Sequence, residues 1–208
     1  MLLALDTATN AVTVALHDGT TVVAERTVDD RLRHGELLAP TIAQVLADAA
    51  VKPAQLTRIA VGVGPGPFTG LRIGLVTATT MAMTLGIDAV GVCTLDIVAA
   101  AVEVAGPFVV ATDARRKEVY WARYAAPNER LTEPAVDYPS SMATALPVAG
   151  NGPLLYPDDL PNAVTPQLPS AADLARLVVS GEARVLPTRP LYLRRPDAAV
   201  PTASKRVT

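Results

Sequence analysis

The sequence predicts an α/β protein of two lobes, the second one reduced, with both lobes opening on the same kind of β-hairpin. Three observations predict it. An apolar strand ended by Asp6, a turn and a second strand occupies residues 2–16, and the same order of strand, Asp113, turn and strand returns at residues 108–124. Between the strands of the first half, apolar residues recur at helical rather than alternating spacing. Half of the residues are hydrophobic but only 4% are aromatic, so Ala, Val, Leu and Thr fill the interior. That palette suits helices layered on a sheet better than an aromatic-rich sandwich. The 208 residues can bury a continuous core. The expected division is a first lobe over 1–104, a reduced second lobe over 105–195 and a flexible tail over 196–208.

Residues 2–5 read as a short buried strand, ended by the turn formers Asp6-Thr7-Ala8-Thr9-Asn10. Residues 11–16 set Val12, Val14 and Leu16 in alternation with Thr13 and Ala15, the period of a strand. Asp18-Gly19 is a hairpin signal, and residues 21–28 return as a third strand. Leu37, Leu38, Ile42, Val45, Leu46 and Ala49 then mark an amphipathic helix over 34–50. Pro40 is expected only in a first turn, which puts the helix start near Glu36. A strand over 56–63 runs into residues 64–70. Thr69 is the expected N-cap of a helix over 70–85, closed by Gly86. A strand over 89–93 and a helix over 95–104 complete the first unit.

The second unit begins with an apolar strand over 108–112 and the turn Asp113-Ala114-Arg115-Arg116. Residues 118–124 then alternate Val119, Trp121 and Arg123 with Tyr120, Ala122 and Tyr124. Residues 127–169 are rich in Pro, Asn and Asp and read as a trimmed lobe with long loops. Ser170 with Asp173 resembles a capping box for a helix through Val179, and Gly181 ends it. A duplicated, hairpin-led α/β unit resembles the layout of the actin, hexokinase and Hsp70 superfamily, the ASKHA fold.

The formal net charge is -2, so nothing global marks an avid nucleic-acid binder. Arg184, Arg189, Arg194, Arg195, Lys205 and Arg206 nevertheless make the C-terminal stretch basic. Such a run is more often a solvated end than an RNA contact. Cys93 is the sole cysteine, which excludes an intramolecular disulfide and a Cys-based metal cluster. The apolar N-terminal run has no basic n-region and contains Asp6, against a secretory signal. Residues 73–85 are too short to span a bilayer, which takes about 20 apolar residues. A soluble cytoplasmic protein without a membrane association is expected. His17 and His34 form no ligand pair and no Gly-x-Ser-x-Gly occurs, so neither a metal centre nor a hydrolase nucleophile is expected. No cofactor is expected.

Two motifs admit a chemical and a structural reading. Residues 64–74 read Gly-Pro-Gly-Pro-Phe-Thr-Gly-Leu-Arg-Ile-Gly at a strand-to-helix junction, where a helix N-terminus attracts anions. There is no Gly-Lys-Ser/Thr, and Pro65 and Pro67 remove two amide donors, which favours a rigid turn. Asp6, Thr7 and Thr9 are candidates for a phosphate-binding hairpin, or for a tight turn satisfied by its own hydrogen bonds. The turn after Asp113 offers Ala114 and Arg115 where a phosphate loop would want glycine and hydroxyls. The helix after residue 70 has no charge between Arg72 and Asp88. A helix with no polar face is expected to be covered on both sides. Gly74, Ala78 and Ala82, four residues apart, would let a second helix approach. A protein partner and the chain's own second lobe are the two candidates for that cover.

Taken in order, Leu3-Ala4-Leu5-Asp6-Thr7, His34-Gly35-Glu36-Leu37-Leu38-Ala39-Pro40 and residues 62–74 resemble the TsaB (YeaZ) family. Asp113-Ala114-Arg115, Glu118-Val119-Tyr120 and Pro190-Leu191-Tyr192-Leu193-Arg194 extend the resemblance nearly end to end. Pro67 departs from it, since the family more often has Ser there. The resemblance implies a non-catalytic subunit of the machinery that places threonylcarbamoyl on the tRNA adenosine next to the anticodon. It implies pairing with a TsaD-type transferase, which carries the metal-binding histidine pair absent here, together with a TsaE-type ATPase. A homodimer is implied when the chain is alone, and contact with tRNA only through the complex. The residues this assigns to the partner interface are His34, Leu38, Ile42 and Val45, and Gly70, Arg72, Gly74, Leu75, Ala78, Met81 and Ala82. Glu at Leu75 or Ala78 is then expected to abolish pairing and leave the fold intact. Asp6, Thr7 and Thr9 would be a vestigial nucleotide hairpin. The alternative is a self-standing enzyme, a nucleotide-dependent kinase or a peptidase; the kinase version requires ATP protection that Asp6→Ala removes.

Overall fold

The computed structural model describes residues 1–30, 33–142 and 144–194. The tail expected over 196–208 lies outside the described residues. The chain folds as two sheets with helices on their faces. In the first lobe, β1 (Leu2–Asp6), β2 (Ala11–His17) and β3 (Val22–Asp29) form the antiparallel meander expected from the sequence. After α1 (His34–Asp48) comes a 3-10 turn (Pro53–Gln55). β4 (Arg58–Gly62) then joins β1 in parallel. α2 (Phe68–Leu85) leads to β5 (Asp88–Val92), parallel to β4. α3 (Thr94–Ala99) connects to the second lobe, where β6 (Phe108–Asp113) and β7 (Val119–Ala126) repeat the opening hairpin. β8 (Glu129–Arg130) and β9 (Ala135–Asp137) pair with successive parts of β7. α4 (Pro139–Met142), β10 (Val148–Ala149), parallel to β6, and α5 (Gly152–Leu155) complete that lobe. This is the ASKHA layout of two hairpin-led units with a short second one.

The chain then returns to the first lobe. α6 (Ala171–Ser180) packs on the first sheet, and β11 (Val185–Leu186) pairs antiparallel with β5 as its edge strand. The span 105–195 is therefore not one lobe. The physical reason is that β1 and β2 are buried along their whole length and need cover on both faces. On one face Leu3, Leu5 and Val14 meet Leu38, Val45, Leu71 and Leu75 of α1 and α2. On the other, Leu2, Ala4 and Ala15 meet Ala171, Leu174, Ala175 and Val178 of α6. Ser170 caps α6 by accepting from the Ala172 and Asp173 amides, and the Ala171 amide donates to Thr13 Oγ1 at 2.9 Å.

Three helix ends differ from expectation. α1 begins at His34 and carries Pro40 in its second turn. Pro40 and Glu36 are both exposed, so the Glu36 carbonyl that Pro40 leaves without an amide donor faces water. α2 begins at Phe68 with Pro67 as N-cap and no side-chain cap, so Thr69 lies inside the first turn. Its other end is as expected: Gly86 adopts φ 65° and its amide returns to Ala82 and Met83 carbonyls. α3 stops at Ala99, and the chain continues to Val102 in tighter turns, with Ala101 and Val102 bonding three residues back.

Candidate docking face and the buried Asp6 turn

The first turn is a closed, self-satisfied structure. Asp6 and Thr7 are buried, with 0% and 1% exposure. Asp6 Oδ1 accepts from the Ala8 amide at 2.7 Å, and Oδ2 accepts from the Thr94 hydroxyl at 2.7 Å. Thr94 Oγ1 in turn accepts from the Gly64 amide at 3.1 Å, so one carboxylate ties β1 to the start of α3 and to the loop before α2. Burial pushes the Asp6 carboxyl up to about 6, and the hydrogen bonds from Thr94 and Ala8 only partly offset that. Thr7 donates to the Gly70 carbonyl at 2.7 Å, and Thr9 Oγ1 accepts from the Ala11 amide at 3.3 Å. His34 Nε2 donates to the Thr9 carbonyl at 2.8 Å, which fixes the hairpin against the start of α1.

The loop of residues 64–67 lies directly on this turn. A Cβ at Gly66 would stand 2.1 Å from the Ala8 carbonyl oxygen, so only glycine lets the two backbones meet. Gly62 and Thr94 lie against the Asp6 carboxylate, which is 0% exposed, so no ligand reaches it in this arrangement. The turn reading of Asp6, Thr7 and Thr9 is thus the one their hydrogen bonds support.

The eleven residues assigned to a partner interface divide sharply. Leu38, Ile42, Val45, Leu75, Ala78 and Ala82 belong to the chain's own core, and His34, Gly70 and Gly74 are buried beside it. Gly74 does not receive a second helix: a Cβ there would meet Thr7 Oγ1 at 2.4 Å, so the small residue serves the approach of α2 to β1. Leu75 and Ala78 are 4% and 0% exposed, so glutamate at either would enter the core and unfold the chain. Only Arg72 and, in part, Met81 face outward.

Beyond Phe68 and Arg72, which lie against Tyr192 at the start of α2, the face that α2 turns to solvent consists of Val76, Thr80, Met83 and Thr84. Val76 is 62% and Met83 84% exposed. Among the described residues neither lobe covers them, so this side of the uncharged stretch stands open. Beside it α1 exposes the small residues Gly35, Ala39, Ala43 and Ala47. Val76, Thr80 and Met83 are not among the residues expected at the interface, although they recur at four- and three-residue spacing in the sequence.

Other groups have structural partners. The Asp113 turn is bonded within the second lobe: Oδ1 accepts from the Arg115 amide at 2.8 Å, and the Asp113 amide donates to Asn151 Oδ1 at 2.9 Å. Arg184 pairs with Glu133 at 3.0 Å and Arg194 with Glu118, so these two members of the basic C-terminal stretch have carboxylate partners within the chain. Arg195, Lys205 and Arg206 lie outside the described residues. Cys93 is buried, and desolvation pushes its thiol up to about 12. No group of three or more His, Cys, Asp or Glu suited to a metal ion occurs among the described residues. Nor is any described helix long and apolar enough to cross a membrane.

A family model described as TsaD, tRNA N6-adenosine threonylcarbamoyltransferase, matches residues 22–182. The solved structure of YeaZ from Pseudomonas aeruginosa superposes with a TM-score of 0.75 at 30% identity, covering 92% of this chain and 99% of that one. The chain belongs to the TsaB (YeaZ) family. A second Pseudomonas aeruginosa structure, described as similar to the peptidase YeaZ, gives a TM-score of 0.79 at 30% identity, covering 93% and 99%. An uncharacterised Mycobacterium leprae protein is 44% identical over 98% of this chain, which spans 57% of that relative's length. The Escherichia coli tRNA threonylcarbamoyladenosine biosynthesis protein TsaB is 36% identical over 126 residues, 59% of this chain and 54% of that protein. In this TsaB-family chain, residues 62–74 form the junction from which α2 starts.

Proposed function

We propose that this chain is a non-catalytic subunit in tRNA threonylcarbamoyladenosine biosynthesis. In this reading it docks on a TsaD-type transferase through the outward faces of α2 and α1, and a TsaE-type ATPase joins the pair. Alone, it covers the same face with a second copy of itself. The observation that carries the proposal is the open side of α2, where Val76 and Met83 are largely exposed on a stretch with no charge from Ile73 to Ile87. An uncharged helix face with large exposed apolar side chains is what a stable interface buries at its centre. The family relationship to a protein named for this modification supports the pathway. Burial and full engagement of Asp6 support a role other than nucleotide hydrolysis.

The test is co-purification with the transferase of the same organism. Val76→Glu and Met83→Glu place a charge in the centre of the face without touching the core. Both are expected to keep the wild-type unfolding transition and to lose pairing. Normal pairing by both folded variants would show that the docking face lies elsewhere.

A further inference from the structure

We infer that the turn between β6 and β7, with the rings at the start of α2, forms a contact surface for single-stranded RNA. Arg115, Arg116 and Lys117 take φ of 60°, 55° and 64°, three consecutive residues with side chains in the left-handed region. Each is unfavourable for a residue bearing a Cβ, and such strain persists only where surrounding bonds impose it. Here they do. The Arg115 amide donates to Asp113, the Ala114 amide to the Glu118 carbonyl at 2.9 Å, and the Glu118 amide to the Arg115 carbonyl at 3.0 Å. The outcome is a fixed turn that presents three long cations, all exposed, at its tip.

Across a groove of about 250 Å³ from this turn stand Phe68 and Tyr192. Their rings are stacked at 5.3 Å between centroids and 17° between planes, and they remain 43% and 37% exposed. The Arg72 guanidinium lies 3.6 Å over the Phe68 ring, and its Nε donates to the Tyr192 hydroxyl at 2.6 Å. Arg115, Arg116 and Arg194 line the groove, Lys117 follows at the turn and Arg72 lies over Phe68, while Asp113 and Glu118 pair with Arg115 and Arg194. Among the described residues, five cations and two carboxylates thus stand at or beside this groove, on a chain whose formal net charge is -2. Fixed cations suit phosphates, and partly exposed rings beside a guanidinium plane suit unstacked bases. An acidic peptide would use the cations and leave the rings idle, and a duplex hides the base faces. The surface adds a direct RNA contact at the end of α2 next to the proposed docking face. It rests on the proposed function only for which RNA is carried.

The full-length protein is titrated into a labelled anticodon stem-loop RNA at 50 and 200 mM salt. Three phosphate contacts on a single strand predict a slope of roughly -2 in log K against log salt, an affinity loss of about twentyfold over that range. The triple variant Arg115→Ala, Arg116→Ala, Lys117→Ala is expected to flatten the slope, and Lys117→Glu to weaken binding on an unaltered backbone. Tyr192→Ala is expected to weaken binding about tenfold with the slope unchanged. RNA affinity indifferent to the triple variant and to Tyr192→Ala overturns the inference. So does equal competition by polyglutamate, which would mark the groove as a site for acidic protein. Loss of transferase pairing in the turn variants with RNA affinity retained overturns it likewise. Salt-dependent binding that these variants reduce upholds it, even if the wild-type chain fails to pair with a transferase.

Discussion

Replacing Asp6 by asparagine should change how the stability of this protein depends on pH. The carboxyl is wholly buried and raised from 3.8 to about 6, with desolvation as the main cause. At about 1.4 kcal/mol per pKa unit, the ionised folded chain is disfavoured by about 3 kcal/mol at neutral pH. Between pH 4 and 6 the folded state binds a proton at Asp6 that the unfolded state has released. Stability from this group therefore falls as pH rises through that window, and the full cost is present above about pH 6. The carboxamide of the Asp6→Asn variant has no such titration, and its oxygen can still accept from the Ala8 amide. Urea unfolding of both proteins at several pH values gives their difference, in which the other carboxylates cancel. The wild type should gain on Asp6→Asn by about 2 kcal/mol as pH is lowered from 7 to 4. A difference independent of pH across that range, or an Asp6 carboxyl resonance titrating near 4, would refute the reasoning.

Other variants test the packing. Gly66→Ala drives a Cβ into the Ala8 carbonyl, a backbone contact that no rotamer relieves, and should cost about 1–3 kcal/mol in chemical denaturation. Leu75→Glu should abolish the cooperative unfolding transition, whereas Val76→Glu, one residue on, should preserve it. Arg130→Ala removes the cation that bonds both oxygens of Asp96 at 2.9 and 3.0 Å and leaves that carboxylate with the Tyr124 hydroxyl alone. Unfolding measurements should show a loss of about 3 kcal/mol; a loss under 1 kcal/mol would mean that Asp96 is solvated in the folded chain.

What the sequence made legible was local. The paired Asp6 and Asp113 hairpins, the Gly86 end of α2 and the Ser170 and Gly181 ends of α6 each follow from residues within one turn of the feature. Pro40 misled because its effect depends on whether the freed carbonyl meets water, and that is decided by the face α1 buries. The return of α6 and β11 to the first lobe was hidden because it answers a need of β1 and β2, more than 150 residues earlier in the chain. The candidate face was read in half. α2 carries no charge after Arg72 and has apolar residues on every side, so periodicity alone does not distinguish Leu71, Leu75 and Ala78, which face the core, from Val76 and Met83, which face out. The choice is made by Gly74 against Thr7, a contact between parts of the chain that no local pattern joins.

The subunit role is tested most directly by tRNA threonylcarbamoylation in a reconstituted system. Transferase and ATPase from the same organism are supplied with threonylcarbamoyl-adenylate, with and without this chain. Modification that appears only when the chain is added, and disappears with Met83→Glu, is the predicted result. Modification that proceeds equally in its absence would contradict it.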